Sequence, residues 1–418
     1  MPFHSHRLAN GLQLIGETHP SMRSVAVGFF VRTGSRDEQP QVAGVSHFLE
    51  HMMFKGTPRR TALDVNLDFD RIGASYNAYT SEENTVYYAS ILPEYLPKAV
   101  DILADILRPS LRGDDFDMEK KVIIEEIGMY DDQPMWVAYD HARKFHYGDH
   151  PLGNTVLGSV ESVGALTPEQ MREYFQSRYV ASNIVVSVAG NFDWDEFVRL
   201  VEAACSDWPQ GNSDRTHRVA APVGGGVHTL TKDKLNQAYA IRISSGPASE
   251  SMQRYAGDTL ALALGDDTGS RLYWALVDPG LADSADVSYY EYDHSGTFFV
   301  TLTCPPAAID SNLAIVEKVL AEVQAEGITA EELDIAKTKI ASRVVRSAER
   351  PMGRMQSIAS AWTYTGEYRD VDTELSRYDA VTLEQVRQVL DEFPLTVATT
   401  LRLLPPEGST EESEESDE

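Results

Sequence analysis

The order of elements read along the first two hundred residues recurs in the second two hundred. That recurrence limits the folds open to this chain more than any single motif. Near the start, Leu14-Ile15 and then Val25-Ala26-Val27-Gly28-Phe29-Phe30-Val31 read as strands. A hairpin follows over residues 74–91, with its turn at Glu82-Glu83-Asn84. Next comes an amphipathic helix over 93–107, with Leu96, Ala99, Val100, Leu103 and Leu107 on one face. A longer helix starts from Asp114-Asp115, another at Thr167-Pro168, and a buried strand covers Ile184 to Gly190. From residue 228 the order returns: a strand at 238–244, a hairpin within 284–303, an amphipathic helix at 309–326 and a long helix from Thr329. Val381-Thr382-Leu383-Glu384-Gln385 stands where Leu166-Thr167-Pro168-Glu169-Gln170 stood. Consecutive strand pairs with separate helices predict an α+β fold. Each of two duplicated domains would be a mainly antiparallel sheet with helices packed on one face.

A chain of 418 residues needs more than one core, which agrees with the duplication. Pro209, Gly211, Asn212, Ser213, Pro222 and Gly224-Gly225-Gly226 mark the join. The expected division is an N-terminal domain at 1–208, a linker at 209–227 and a C-terminal domain at 228–404. The acidic end, 405–418, has almost no apolar content and is expected to be disordered.

Composition excludes some functions. A net charge of −28 makes nucleic acid a poor partner. It would attract a basic peptide, or serve solubility alone. Two cysteines, Cys205 and Cys304, do not make a disulfide scaffold. The first residues lack a basic region followed by an apolar core, and no apolar run is long enough to span a bilayer. A cytoplasmic chain without a membrane partner is expected.

The chemistry lies in His47-Phe48-Leu49-Glu50-His51, an H-x-x-E-H pattern. On a helix, residues three and four apart share a face, so two imidazoles and a carboxylate sit together. Imidazole is a good zinc ligand, and a hydrolytic zinc keeps one position open for water. A neighbouring carboxylate can take a proton from that water. The spacing inverts the more familiar H-E-x-x-H. The flanking Phe48, Leu49, Met52, Met53 and Phe54 would bury the helix, leaving its polar trio in need of partners. A third ligand is also required. No third histidine lies on a nearby helix, so the candidates are the acids of 114–126. Glu119, Glu125 and Glu126 leave an ambiguity of one residue, because only one of the last two can share the face of Glu119.

The stretch from Gly44 to Thr57 resembles the zinc segment of the pitrilysin/insulinase metallopeptidases, in their mitochondrial-processing-peptidase-like branch. So do Tyr76-Asn77-Ala78-Tyr79-Thr80-Ser81, the run Glu119 to Glu126, and His150-Pro151-Leu152-Gly153. The resemblance implies a Zn2+ ion held by His47, His51 and Glu126, with Glu50 as general base. It implies that Glu119 supports the site by fixing a histidine. It also implies that Asn77, Ala78 and Tyr79 lie on an exposed edge strand, to which a substrate peptide adds in extended conformation.

One departure matters. The family's second domain usually carries an Arg and a Tyr, seven residues apart beside Gly-Leu-Ala, that bind substrate. Here Leu276 and Asp283 stand in those places, and neither donates a hydrogen bond to a peptide carbonyl. Arg271 with Tyr289 or Tyr290 is a substitute at the wrong spacing. The expectation is therefore a zinc endopeptidase subunit whose homologous partner supplies the pair. The alternatives are a homodimer, or a weakly active structural subunit.

Overall fold

A computed structural model of the chain describes residues 2–211, 215, 221 and 224–406. The first half contributes β1 (Phe3–Arg7), β2 (Gln13–Thr18), β3 (Val25–Val31), β4 (Ser75–Thr80), β5 (Thr85–Ile91) and β6 (Ile184–Gly190). Its helices are α1 (Val45–Met53), α2 (Ala62–Arg71), α3 (Leu96–Ile106), α4 (Gly113–Asp131), α5 (Pro134–Tyr147), α6 (Val160–Ala165), α7 (Pro168–Arg178) and α8 (Trp194–Cys205). The second half contributes β7 (Gly226–Thr231), β8 (Ala238–Gly246), β9 (Ser284–Tyr292), β10 (Ser295–Cys304) and β11 (Ala398–Leu404). Its helices are α9 (Arg254–Gly265), α10 (Ile309–Glu326), α11 (Ala330–Ala348), α12 (Pro351–Thr365), α13 (Val371–Asp379) and α14 (Leu383–Glu392).

The duplication extends to strand pairing. The first sheet has the order β1-β2-β6-β3-β5-β4, the second β7-β11-β8-β10-β9. One pair in each is parallel, β2 with β6 and β7 with β11, and the other pairs are antiparallel. Apart from β1, the two orders match strand for strand. Every residue of β3 and β6 is buried, so both strands read as unbroken apolar runs rather than as alternations.

By its contacts the chain forms two compact units, each gathered from three pieces. One holds Met1–Gly128, Asn154–His217 and Val344–Thr373. The other holds Met129–Gly153, Arg218–Arg343 and Glu374–Glu418. This differs from the expected contiguous division into 1–208 and 228–404: α5 belongs to the unit of the second sheet, and α12 to that of the first. The reason is that a sheet has two faces. In the first unit, Leu14, Val27, Phe29, Tyr87 and Val186 pack under α1, α3 and α8. Ile15, Ala26, Phe30, Val86, Val185 and Ala189 point the other way, and Met355, Ile358 and Ala359 of α12 cover them. Helices therefore lie on both faces of this sheet, not on one. In the second unit, Ala138 and Ala142 of α5 pack on Ile241, Ile243, Leu401 and Leu403.

Small residues allow the close approach. A Cβ at Gly28 would come 2.8 Å from the Met355 sulfur. A charged pair anchors α12: Arg354 donates from Nε and Nη2 to the carboxylate of Glu17, with the Nη2–Oε2 distance at 2.6 Å. Part of the expected linker is also built in. Arg215 is paired with Asp37 at 2.9 Å and with Glu83 at 3.3 Å. Most of the remaining linker (212–214, 216–220, 222–223), and residues 407–418 of the acidic tail, lie outside the described residues. Among the described residues, no helix is long and apolar enough to cross a membrane.

Candidate metal centre

Local forces fix α1. Gly44 precedes it at φ +90°, and a Cβ there would lie 2.6 Å from the Leu157 carbonyl oxygen, so this turn requires glycine. The Glu38 carboxyl oxygens accept from the Gly44 and Ser46 N–H groups, each at 2.7 Å, at the helix start. Val45, Phe48, Leu49, Met52 and Met53 are buried, which fixes the rotation of the helix and the direction of its histidines. The α4 helix docks through Phe116, Ile123 and Ile127, and Phe116 stacks on Phe48 with ring centroids 4.6 Å apart.

That docking brings His47, His51 and Glu126 together, with their donor atoms all within 4.8 Å of one another. Glu126 Oε1 is 3.8 Å from His47 Nε2, and Oε2 is 3.5 Å from His51 Nε2. These gaps are long for hydrogen bonds. Two ligands on a tetrahedral zinc with bonds of about 2.1 Å stand about 3.4 Å apart, so an ion of that size fits between them. Glu125, its neighbour, is exposed and outside the cluster.

The electrostatics suit a cation. Burial, with the charge of His51 next, drives the His47 imidazole down to about 3, so it stays neutral and keeps a lone pair. Burial alone would lower His51 too, but the hydrogen bond to Glu119 and the charges of Glu126 and Glu50 outweigh it and raise it. His51 Nδ1 lies 2.9 Å from Glu119 Oε1, and Lys55 Nζ lies 2.5 Å from Glu119 Oε2. A carboxylate there fixes the His51 tautomer, with Nδ1–H toward Glu119 and Nε2 free for a metal. Burial acts to raise Glu119 itself, but bonds from His51 and Lys55 prevail and hold it low and ionised. Among the described residues, the buried His47 Nδ1 has no hydrogen-bond partner.

Glu50 stands beside the cluster. Its Oε2 accepts from the Thr80 hydroxyl at 2.6 Å. Burial raises its carboxyl above the ordinary range, opposed by that hydroxyl and by His51 and reinforced by Glu126. Asn77, Ala78 and Tyr79 lie on β4, the last strand of the first sheet, so among the described residues one side of it carries no strand. The Ala78 N–H is held at 2.9 Å by the Asn77 side-chain oxygen. Three residues with a part in this geometry escaped sequence reasoning: Glu38, Lys55 and Thr80. Lys55 follows His51 by four, a weak signal. For Glu38 and Thr80, nothing in the local pattern announces the contact.

In the other unit, Leu276 is fully buried. Arg271 is engaged by Glu332 through two bonds of 2.6 and 2.8 Å. The Tyr289 hydroxyl donates to the Pro247 carbonyl. His146 is buried, 3.2 Å from the Thr399 hydroxyl, and serves packing.

Three metal-type donors and a part-buried carboxylate bound by one hydroxyl, on a duplicated α+β chain, describe a metal-dependent hydrolase. Comparison with known proteins narrows that class. Residues 14–160 match the model for insulinase, peptidase family M16, and residues 165–340 match that for the M16 inactive domain. An uncharacterized zinc protease of Mycobacterium leprae is 35% identical over 91% of this chain and 86% of its own length. The uncharacterized zinc protease YmxG of Bacillus subtilis is 32% identical over 96% of this chain and 97% of its own. Among solved structures, a protease from Helicobacter pylori superposes with a TM-score of 0.91 at 22% identity, covering 97% of this chain and all of that one. An M16-like peptidase from Alicyclobacillus acidocaldarius gives 0.84 at 27% identity, covering 97% and 99%. The chain belongs to the insulinase (M16) family of zinc peptidases. Its C-terminal half is of the family's inactive type, and its cofactor is zinc.

Proposed function

We propose that this chain is a zinc endopeptidase acting on short or unfolded peptides, with zinc held by His47, His51 and Glu126. The observation that carries the reading is the convergence of these three residues next to Glu50. When bound, zinc supplies the Lewis acidity that polarises a peptide carbonyl and makes water a better nucleophile. Glu50 accepts a proton from the attacking water. It returns that proton to the amide nitrogen as the C–N bond breaks, leaving a carboxylic acid and an amine, which exchange a proton to carboxylate and ammonium. Glu119, held ionised by its bonds to His51 and Lys55, orients His51. The free edge of β4 at Asn77-Ala78-Tyr79 offers backbone groups to an extended peptide, which selects unfolded chains. For a peptide to use the Ala78 N–H, the Asn77 side chain must swing away.

The engaged Arg271 and Tyr289, with Leu276 buried, support a partner chain that supplies the substrate-binding Arg/Tyr pair. They also favour a second reading, in which this chain alone is a weakly active structural subunit. The test is digestion of an unstructured peptide by the zinc-loaded chain, read by mass spectrometry, together with the mass of the native complex. Internal cleavage, lost on chelation and restored by zinc, is expected. Rapid turnover by a lone monomer would defeat the heterodimer. Inertness with a homologous partner present would defeat the peptidase.

The ligand assignment is tested separately. Glu126→Gln will weaken zinc binding on the order of 100-fold or more, while Glu125→Gln leaves it unchanged. Competition with a chelator of known affinity measures both.

A further inference from the structure

We infer that Thr80 is a positioning residue for the general base, and that it ties Glu50 to the edge strand offered to the substrate. This rests on the peptidase reading above. The Thr80 hydroxyl donates to Glu50 Oε2 at 2.6 Å, the one hydrogen bond to that carboxylate among the described residues. Oε2 is thereby occupied, and Oε1 remains to accept a proton. At 2.6 Å this is a short O–H···O bond.

The two partners differ in freedom. Glu50 has several side-chain torsions and loses considerable entropy when held in one pose. Thr80 is β-branched, and its backbone is fixed by pairing with Thr85 in the β4–β5 ladder. Alternate residues of a strand share a face, so Thr80 lies with Tyr76 and Ala78, which pack against the core. The chain just beyond is clamped too. Ser35 N–H donates to the Ser81 carbonyl at 3.2 Å, and Arg36 N–H to the Glu82 carbonyl at 2.8 Å. Arg36 and Arg215 both pair with Glu83. A rigid strand end thus presents a hydroxyl to a carboxylate with several side-chain torsions. A peptide adding to β4 lies on the same strand that orients the base.

Thr80→Val removes the donor and keeps the shape, and Thr80→Ser keeps the donor. Kinetics on a quenched fluorescent peptide, zinc content and crystal structures of the zinc-loaded variants are the measurements. Thr80→Val is expected to lower kcat about tenfold or more, with KM and zinc content unchanged, and with the Glu50 carboxylate displaced. Thr80→Ser restores both kcat and the carboxylate position. A Glu50 carboxylate that stays in its wild-type place in Thr80→Val overturns the proposal, whether or not the wild type cleaves peptides. So does a loss confined to KM. An inert but zinc-loaded wild type would count against the peptidase reading instead, and the crystal comparison would still decide the role of Thr80.

Discussion

Glu50→Gln will leave zinc bound and slow cleavage of an unstructured peptide by about 10²–10⁴-fold. The substitution nearly preserves volume, and a glutamine carbonyl can still accept the Thr80 hydroxyl, now 2.6 Å from Glu50 Oε2. What it removes is the ability to take a proton from water and return it to the leaving amine. His47, His51 and Glu126 do not depend on Glu50 for their approach, since α1 burial and α4 docking set it. Zinc content should therefore match the wild type, which separates a lost base from a lost metal. Equal digestion by wild type and variant would end the case for Glu50.

Arg354→Met will lower the unfolding free energy by about 3–5 kcal/mol, read by denaturant titration, because it strands a buried carboxylate. Glu17 is fully buried and Arg354 is 3% exposed. Glu17 also accepts from the Tyr368 hydroxyl at 2.6 Å and lies 2.6 Å from His19 Nε2. Burial by itself would raise the Glu17 carboxyl. The bonds from His19, Arg354 and Tyr368 outweigh it and hold the group at about 2, below the ordinary 4.5. A depressed carboxyl stabilises the fold fully above its unfolded value, and that contribution fades as pH falls toward the folded one. The gap between wild type and Arg354→Met should therefore be full at neutral pH and narrow between about 4.5 and 2. Replacing Glu17 and Arg354 together by methionine should recover part of the loss, since no unpaired charge remains. A gap that stays constant down to pH 2 would show that the variant loses packing rather than charge pairing.

Both predictions turn on contacts that differ in how far they can be read along the chain. His47, Glu50 and His51 lie within five residues, and helical geometry alone places them on one side. Glu119 and Glu126 share a face for the same reason. Choosing Glu126 over Glu125 requires knowing which side of α4 meets α1, and the Phe48–Phe116 stack decides that. Asn77 to Tyr79 alternate as a strand, but their edge position depends on the order of the whole sheet. Arg215 sits in a stretch whose composition says linker, yet it pairs with Asp37 and Glu83.

The amino-acid order by itself determined the repeated α+β plan and the histidine pair with its glutamate. Each of these depends on local periodicity or on residue identity. Tertiary structure alone decided that α12 rather than α5 covers the back of the first sheet, that Glu38 bonds the start of α1, and that Thr80 bonds Glu50. Met355, Ile358 and Ala359 form an apolar stripe that fits an apolar sheet face, as Ala138 and Ala142 do. A stripe records how much surface must be buried. Which surface buries it is settled only when the whole chain packs.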